Sequence, residues 1–366
     1  MGADRIEMNA CRDTIAAVRE LLRDNPEWIA RYKSYIDTLA EKKAAGSFSR
    51  AQRQFAVPAP FQLYLSLSMA IHKCTAKHTA FELRFHGQSV AVLFVDNQKE
   101  KTVSLQVKKA PAIYKVLREK AEADAAYLDS LDSSALYDWH GDEAKNFRRI
   151  YTDLERALAA DGQSHHLGQP EHEMESFLLA NYAKKRSDEK EISYIQPVTM
   201  LDTSARFQMP TPIKASSVKD GIETLAYAGK SGGGIDILAR VGSGRSTTLA
   251  VMELKDENKD SEPPRKVICQ AIAYATFLRE LLRSETGEGW WRFFGFGGSV
   301  PKKLTLKAIV VMPLKNQNGT VSRQTEAFMQ ELRIPENTQL LIPDSADQIE
   351  LGYVFRNDGA APEKSF

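Results

Sequence analysis

The spacing of hydrophobic residues changes several times along the first 160 residues. Ile15, Val18 and Leu22 keep the 3.6-residue repeat of a helix that buries one face. Between 81 and 107 the pattern shifts to alternation and short apolar runs, which predicts a three-stranded antiparallel meander. The other apolar repeats predict helices over 10–45, 61–73, 111–130 and 142–159, with a loop at 47–60.

The polar segment 160–170 contains Gly and Pro and marks a domain boundary, which divides the chain into domains 1–160 and 161–366. The first domain is expected to be α+β. In the second, the pattern predicts helices at 171–184, 265–283 and 321–333, strands at 192–200, 235–241, 248–255, 304–312, 338–342 and 350–355, and an extended segment at 206–213. This order begins with a helix, three strands, a helix and a strand, which is typical of an α/β domain with a central sheet flanked by helices.

Composition and charge narrow the class of protein. Of the 366 residues, 43% are hydrophobic and 27% are charged, as in ordinary globular proteins. Residues 1–160 carry 24 basic and 21 acidic side chains (net +3), and residues 161–366 carry 25 and 27 (net −2). Neither part has the basic excess of many nucleic-acid-binding domains.

The sequence also bears on the location of the protein. No apolar stretch reaches the roughly 18 residues of a membrane span, and the N-terminus does not resemble a signal peptide. The three scattered cysteines favour a reducing, cytoplasmic location.

Three charged residues interrupt two strands that are otherwise apolar. Asp236 lies in the first strand, and Glu253 and Lys255 lie in the second. Buried charges are costly unless they are paired or bind an ion, so the alternatives are a purely structural ion pair and an ion site. Side chains two residues apart on a strand share a face, and pairing of the two strands would bring Asp236 beside Glu253. A divalent cation with hard oxygen ligands, such as Mg²⁺, would relieve the repulsion between these carboxylates.

The motif Asp236 … Glu253-Leu254-Lys255 resembles that of the PD-(D/E)XK nuclease superfamily, which has the restriction-endonuclease-like fold. The resemblance covers about residues 165–312, and Ile235 stands where the signature has proline, a position that the superfamily keeps loosely. It implies an αβββαβ core with a central mixed sheet in the second domain. It also implies that Asp236, Glu253 and the Leu254 carbonyl ligate Mg²⁺, for which Mn²⁺ could substitute. Lys255 would then position or deprotonate the attacking water and stabilise the developing phosphate charge.

Nucleases of this family often carry another acidic residue on the helix before the core strands. Here Glu171 precedes Met174 by three residues and Leu178 by seven, so it lies along the buried face near the helix start. Glu175 follows one turn later. We expect Glu171, or Glu175 in its place, to join the metal ligands. The alternative is that these charges only complement the helix dipole.

The helix predicted at 265–283 contains Gln270 and Tyr274, one turn apart. This pair resembles the Gln-xxx-Tyr helix of the RecB-like branch, and the resemblance places Gln270 beside the active site as a catalytic candidate. The alternative is an ordinary, partly exposed Gln–Tyr pair.

Three further features of the second domain have both functional and structural interpretations. Two basic clusters are candidates for contacts with nucleic-acid phosphates, although such clusters are often only solvated: Lys184, Lys185 and Arg186, and Lys302 and Lys303. The aromatic run 290–296 is interpreted as a packing segment rather than as a base-stacking surface. The glycines of the segment 229–233 are interpreted as a flexible entry to the Asp236 strand.

The sequence therefore predicts a Mg²⁺-dependent nuclease that hydrolyses phosphodiester bonds. DNA is favoured over RNA because the family mostly cuts DNA, and family analogy alone suggests a role in restriction or anti-phage defence. The first domain would recognise a substrate, a partner or a regulatory signal. No membrane partner is expected, and a homodimer is compatible with the sequence. The alternative function is a catalytically inactive nucleic-acid-binding or protein-interaction module on the same fold.

Overall fold

The computed structural model describes residues 3–54, 57, 60–99, 102–160, 167, 170–182, 195–198, 205–219, 222–255, 264–313, 338–356 and 363–365. These residues form a mixed α/β structure with two multi-stranded sheets and a separate two-stranded hairpin. Among them, no helix has the length and apolar character needed to span a membrane. The chain divides into two compact units: unit 1, which comprises Met1–Ile36, Leu179–Val198 and Gln208–Phe366, and unit 2, which comprises Asp37–Leu178 and Thr199–Phe207.

The helices and strands are defined as follows. The helices are α1 (Ala3–Asp24), α2 (Glu27–Ala44), α3 (Ser47–Gln54), α4 (Pro111–Lys120), α5 (Glu122–Ser130), α6 (Asp142–Ala160), α7 (Pro170–Tyr182), α8 (Pro264–Arg283) and α9 (Gly287–Phe293). The strands are β1 (Gln62–Ser66), β2 (His78–Phe85), β3 (Gln88–Asp96), β4 (Val103–Val107), β5 (Tyr137–Asp138), β6 (Ile195–Pro197), β7 (Arg206–Gln208), β8 (Ile213–Lys219), β9 (Ile222–Tyr227), β10 (Ile237–Val241), β11 (Thr248–Leu254), β12 (Thr305–Pro313), β13 (Gln339–Leu341), β14 (Gln348–Arg356) and β15 (Glu363–Ser365).

Unit 2 is built on a sheet with the strand order β5-β4-β3-β2-β1-β7. Strands β2, β3 and β4 pair antiparallel in sequence order, which confirms the predicted meander. Helix α6 packs its aromatic residues against this sheet: the ring centroids of Phe61 and Phe147 are 5.8 Å apart, and those of Phe85 and Tyr151 are 5.0 Å apart. The core of unit 2 therefore lies between the meander and α6.

Unit 1 contains a mixed sheet with the order β13-β14-β12-β11-β10-β6, and β15 pairs with β14. Strand β10 runs antiparallel to both β6 and β11, whereas β12 runs parallel to β11 and to β14. Helix α8 makes the connection between β11 and β12, as a parallel pair requires, and packs against both strands. Strand β11 is central, and every residue from Leu249 to Leu254 is buried. Burial on both faces explains its continuous apolar sequence.

Helix α1 and the first part of α2, up to Ile36, belong to unit 1 and contact α8. Arg19 Nε on α1 lies 2.9 Å from Glu280 Oε1 on α8. At the start of α2, the ring of Trp28 lies 5.9 Å from that of Phe277. The division into units thus differs from the predicted domains 1–160 and 161–366. The reason is that the apolar faces of these helices pack against α8, which lies far along the chain.

Most predicted elements are confirmed, and the exceptions lie in short segments. Residues 47–60 are not simply a loop, because α3 forms there and buries Phe48 and Ala51 on one face. The apolar segment 61–73 is not a helix: it gives β1, which pairs with β2, and then a single π-helical turn at Met69–Lys73. Short apolar runs fit a buried strand and a buried helix equally well. Helix α9 and the β8–β9 hairpin were not predicted, and the predicted helix at 321–333 lies outside the described residues.

Candidate active site and metal centre

The antiparallel pairing of β10 and β11 brings Asp236 and Glu253 together. Ile237 lies opposite Met252 in the ladder, and one further step of this register places Asp236 opposite Glu253, where side chains share a face. The half-buried Asp236 accepts a hydrogen bond through Oδ2 from the Leu254 N–H at 2.9 Å. This bond fixes the Asp236 carboxylate at the end of β11, and the pairing of β10 with β11 confirms the strand pairing that the sequence predicts.

Glu253 and Lys255 form a buried ion pair at the same end of β11. Lys255 Nζ lies 3.3 Å from Glu253 Oε1, and the two side chains are only 8% and 6% exposed. The backbone N–H of Lys255 donates to the Val311 carbonyl of β12 at 3.0 Å. Both neighbouring strands therefore hold the chain where these charges lie, and the ammonium group has little freedom to move away.

The chemistry of the side chains at this place fits a hydrated Mg²⁺ ion. Asp236 and Glu253 offer hard carboxylate oxygens, and the Leu254 carbonyl is a further oxygen next to them in the chain. In the part of the chain that the structure describes, no group of three or more His, Cys, Asp or Glu side chains could hold a metal ion. Mg²⁺ usually binds through one or two carboxylates and keeps several waters, so two carboxylates are sufficient protein ligands.

Tyr274 on α8 lies within the electrostatic reach of this acid pair, and Gln270 lies on the same helix. Burial raises the pKa of Tyr274, and the negative charges of Glu253 and Asp236 raise it further, so the phenol keeps its proton at neutral pH. Gln270 lies one helical turn away and is 3% exposed. Within the described residues, its Oε1 has no hydrogen-bond partner. Both side chains are buried, which argues against the alternative of a partly exposed pair.

Sequence reasoning missed two backbone features beside Tyr274. A Cβ atom added to Gly233 would lie 2.4 Å from the Tyr274 hydroxyl oxygen, and one added to Gly232 would lie 1.9 Å from the Thr211 carbonyl oxygen. These two glycines are therefore needed for close packing, whereas the sequence suggested only flexibility. The Tyr274 hydroxyl also forms a hydrogen bond with the backbone of Ala215. The run of three glycines before Asp236 was the available signal for such close approach.

The two candidate glutamates of α7 belong to unit 2, whereas the acid pair belongs to unit 1. Glu175 is 5% exposed and accepts a hydrogen bond from the Tyr64 hydroxyl at 3.3 Å. Burial raises the pKa of Tyr64, and the charge of Glu175 raises it further. Glu171 is half-buried. The participation of Glu171 or Glu175 in metal binding stays a prediction from the sequence.

The structure describes one of the two basic clusters that are candidates for contacts with phosphates. Lys184, Lys185 and Arg186 lie outside the described residues, whereas Lys302 and Lys303 are exposed. Arg283 donates hydrogen bonds to the carbonyls of Pro301 and Lys302, which anchors this segment to α8. Lys302 and Lys303 are thus held at the surface by a fixed backbone.

The aromatic run on α9 packs inside unit 1. Trp290 is fully buried, and its ring centroid lies 6.0 Å from that of Tyr32. Phe294 is also buried, with its ring 5.6 Å from Trp290. This arrangement confirms the packing interpretation, and these rings are not available for stacking on bases.

Comparisons with models of known protein families, with characterised proteins and with solved structures give no match to this chain. Its function therefore has to be argued from the site itself. The strongest chemical feature of that site is the convergence of Asp236, Glu253 and Lys255 at one end of β10 and β11.

Proposed function

We propose that this protein is a Mg²⁺-dependent nuclease that hydrolyses phosphodiester bonds of DNA. The observation that carries the proposal is the group formed by the half-buried carboxylate of Asp236 and the buried Glu253–Lys255 ion pair at the adjoining ends of β10 and β11. The order of elements supports it, because β6, β10 and β11 are followed by α8 and by the parallel strand β12. The same order is expected of the restriction-endonuclease-like fold that the sequence motif resembles.

In this proposal, Asp236, Glu253 and the Leu254 carbonyl hold Mg²⁺. The ion, when bound, activates a water molecule and neutralises charge on the phosphate oxygens. The Leu254 N–H donates to Oδ2 of Asp236, which holds this carboxylate at the end of β11 beside Glu253. The half-buried position of Asp236 gives the site its access to solvent and substrate.

Lys255 has a separate role because an ammonium group cannot ligate a cation. Its contact with Glu253 places a donor beside the acid pair. From there it orients the attacking water and stabilises the added negative charge of the transition state. Gln270, whose Oε1 is a buried acceptor on α8, is the catalytic candidate that the family resemblance places beside this site.

The experiment is incubation of the full chain with supercoiled plasmid, linear duplex and single-stranded DNA, in Mg²⁺, in Mn²⁺ and in EDTA. We expect the wild-type protein to cleave DNA only when a divalent metal is present, and we expect Lys255→Ala to lose this activity. Absence of cleavage of every substrate by the wild-type protein would contradict it. DNA binding without cleavage in both metals would instead support the inactive binding module.

A further inference from the structure

The segment that leads to Asp236 begins with a single 3₁₀ turn at Gly229–Ser231. Gly229 has a φ angle of +56°, in the left-handed region that favours glycine. Beyond the turn, Gly234 forms an antiparallel bridge with Pro210, and the backbone on either side of this bridge is hydrogen-bonded across the same two segments. The turn is therefore joined to the proposed metal site by a stretch of backbone that is held in place.

Helix α2 is fixed against the same stretch of backbone. The Tyr32 hydroxyl donates a hydrogen bond to the Pro210 carbonyl at 2.8 Å. The Tyr32 ring is buried and lies 5.0 Å from the ring of Phe277 on α8. Since both ends of the Tyr32 side chain are held, its neighbour Arg31 on α2 has a defined position beside the turn.

Arg31 extends its guanidinium group to the turn. A Cβ atom at Gly229 would lie 3.5 Å from Arg31 Nη2, 3.6 Å from Arg31 Nη1 and 3.7 Å from Tyr227 Cε1. Arg31 Nη1 is buried, and within the described residues it has no hydrogen-bond partner. A buried donor without an acceptor costs free energy, so binding of an acceptor at this place is favoured.

The side chains around the turn suit an oxyanion. A guanidinium group has only donors, and its planar fork matches the oxygens of a phosphate. Lys230 and Ser231 in the turn are exposed and add an ammonium and a hydroxyl group. Burial raises the pKa of Tyr227, a hydrogen bond with Glu27 raises it further, and Arg31 lowers it, so this phenol also keeps its proton at neutral pH.

Glu27 is a carboxylate close to this cluster, one helical turn before Arg31 on α2. It is exposed, and solvent and salt screen the repulsion between exposed charges and an anion. Glu27 therefore weakens an anion site at Arg31 without preventing it, and its removal provides a test with the opposite sign.

The distance to the proposed metal site fits a contact with the same DNA molecule. Asp236 follows Gly229 by seven residues, which span at most about 25 Å. The phosphates of one DNA strand follow each other at about 3.4 Å along the helix axis. We infer that Arg31 and the Gly229–Ser231 turn form an anion subsite that binds a backbone phosphate of the DNA, within about seven nucleotides of the cleaved bond. This inference rests on the proposed function for the identity of the substrate.

The experiment measures binding of a fluorescently labelled DNA duplex to the full chain by anisotropy in EDTA, at several salt concentrations, together with KM and kcat in Mg²⁺. Arg31→Ala should weaken binding and raise KM about tenfold at low salt, as for one charge-assisted hydrogen bond, with little change in kcat. The slope of log affinity against log salt should fall by about one. Arg31→Lys should keep this slope but lose part of the affinity, because it retains the charge without the fork.

Two further variants of α2 serve as controls. Lys33→Ala also removes one positive charge from this helix, but the exposed Lys33 lies two residues on and thus on nearly the opposite side, so we expect binding close to that of the wild type. Glu27→Gln should tighten binding about twofold, the size of an exposed charge effect. Thermal unfolding of every variant reports a purely structural role of Arg31. If Arg31→Ala does not fold, Arg31→Lys decides, and wild-type affinity in that variant would contradict the subsite.

The outcomes separate this inference from the proposed function. If the wild type cuts DNA but Arg31→Ala affects binding no more than Lys33→Ala does, the inference is wrong and the nuclease proposal stands. If the wild type binds DNA without cutting it, and Arg31→Ala shows both the weaker binding and the smaller salt slope, the inference stands and the nuclease proposal fails. A wild type that neither binds nor cuts DNA overturns both.

Discussion

Unit 1 and unit 2 each bury charged side chains on a sheet, but they balance the charges differently. In unit 2, Glu82 lies between two cations, with Arg84 Nη2 at 2.8 Å and Lys108 Nζ at 3.0 Å. In unit 1, two carboxylates, Asp236 and Glu253, share the neighbourhood of one buried ammonium, that of Lys255. The first group holds one carboxylate between two cations of its own unit, whereas the second brings two carboxylates together beside Lys255, an arrangement that a divalent cation can join.

The pKa of Glu82 shows how two neighbouring cations affect a buried carboxylate. Burial raises its pKa, but the charge of Arg84 and the hydrogen bonds from Lys108 and Arg84 outweigh burial and lower the pKa to about 2. Such a group stabilises the fold and needs no ligand. The comparison teaches that burial alone does not mark a carboxylate as a candidate for metal binding, whereas two carboxylates that lie together do.

The largest effect on DNA cleavage is expected from replacing the lysine that lies beside the two carboxylates of unit 1. Lys255→Ala should reduce DNA cleavage by about 10²–10³-fold, because the transition state loses a preorganised positive group. Mg²⁺ binding should be retained or tightened, since a like charge is removed. Calorimetry and a cleavage assay on the same preparation measure both. Lys108→Ala is the matched control in unit 2, and an equal loss of cleavage in that variant would remove the distinction between the two groups.

The second prediction exchanges a carboxylate for an amide in each unit. Glu253→Gln should weaken Mg²⁺ binding at least about tenfold, the lower end of the losses found even for outer-shell groups, and cleavage should fall with it. Glu82→Gln should leave Mg²⁺ affinity unchanged. The measurement is a calorimetric titration of both variants with Mg²⁺, and similar affinities for the two would contradict the assignment of Glu253 as a ligand.

The third prediction concerns the stability of the fold, and here Glu82 of unit 2 is the residue under test instead of the control. Because the pKa of Glu82 falls from 4.5 to about 2 on folding, its contribution is complete above pH 4.5 and is lost as the pH falls towards 2. At pH 7, Glu82→Gln should lower the free energy of unfolding by about 1–2 kcal/mol, which allows for screening by solvent. The difference between the wild type and the variant should shrink as the pH falls from about 4.5 towards 2 and should disappear only below pH 2. Urea unfolding across this pH range tests it, with the exposed Glu119→Gln as the control, and a difference that does not shrink between pH 4.5 and pH 2 would be the contrary result.

The smallest effect is expected from exposed charges. Lys302 and Lys303 are exposed, and their joint replacement by Ala should raise the KM for DNA about two- to threefold at low salt, with little change in kcat, since phosphate contacts act mainly on binding. The difference should disappear at high salt. The control is the double replacement of the exposed Lys115 and Lys120 in unit 2, and the same KM change there would indicate a general charge effect.

The sequence predicted those parts of the fold and site that depend on local pattern. The alternation between 81 and 107 predicted the meander, and the apolar runs around Asp236 and Glu253 predicted the pairing of β10 and β11. Strand geometry places residues two apart on one face, so the sequence also indicated the closeness of Glu253 and Lys255. Charges in buried strands are costly, and for this reason they stand out in the sequence.

Only the tertiary structure decided features that depend on distant partners. The sequence does not show that α1 covers α8, that Glu175 is bonded to Tyr64, or that Gly233 makes room for Tyr274. Each of these contacts joins residues that are far apart in the chain, and local periodicity carries no information about which apolar stripe or which backbone segment will be the neighbour. The order of residues determines which of them need a partner, and the packing of whole elements determines which partner each one receives.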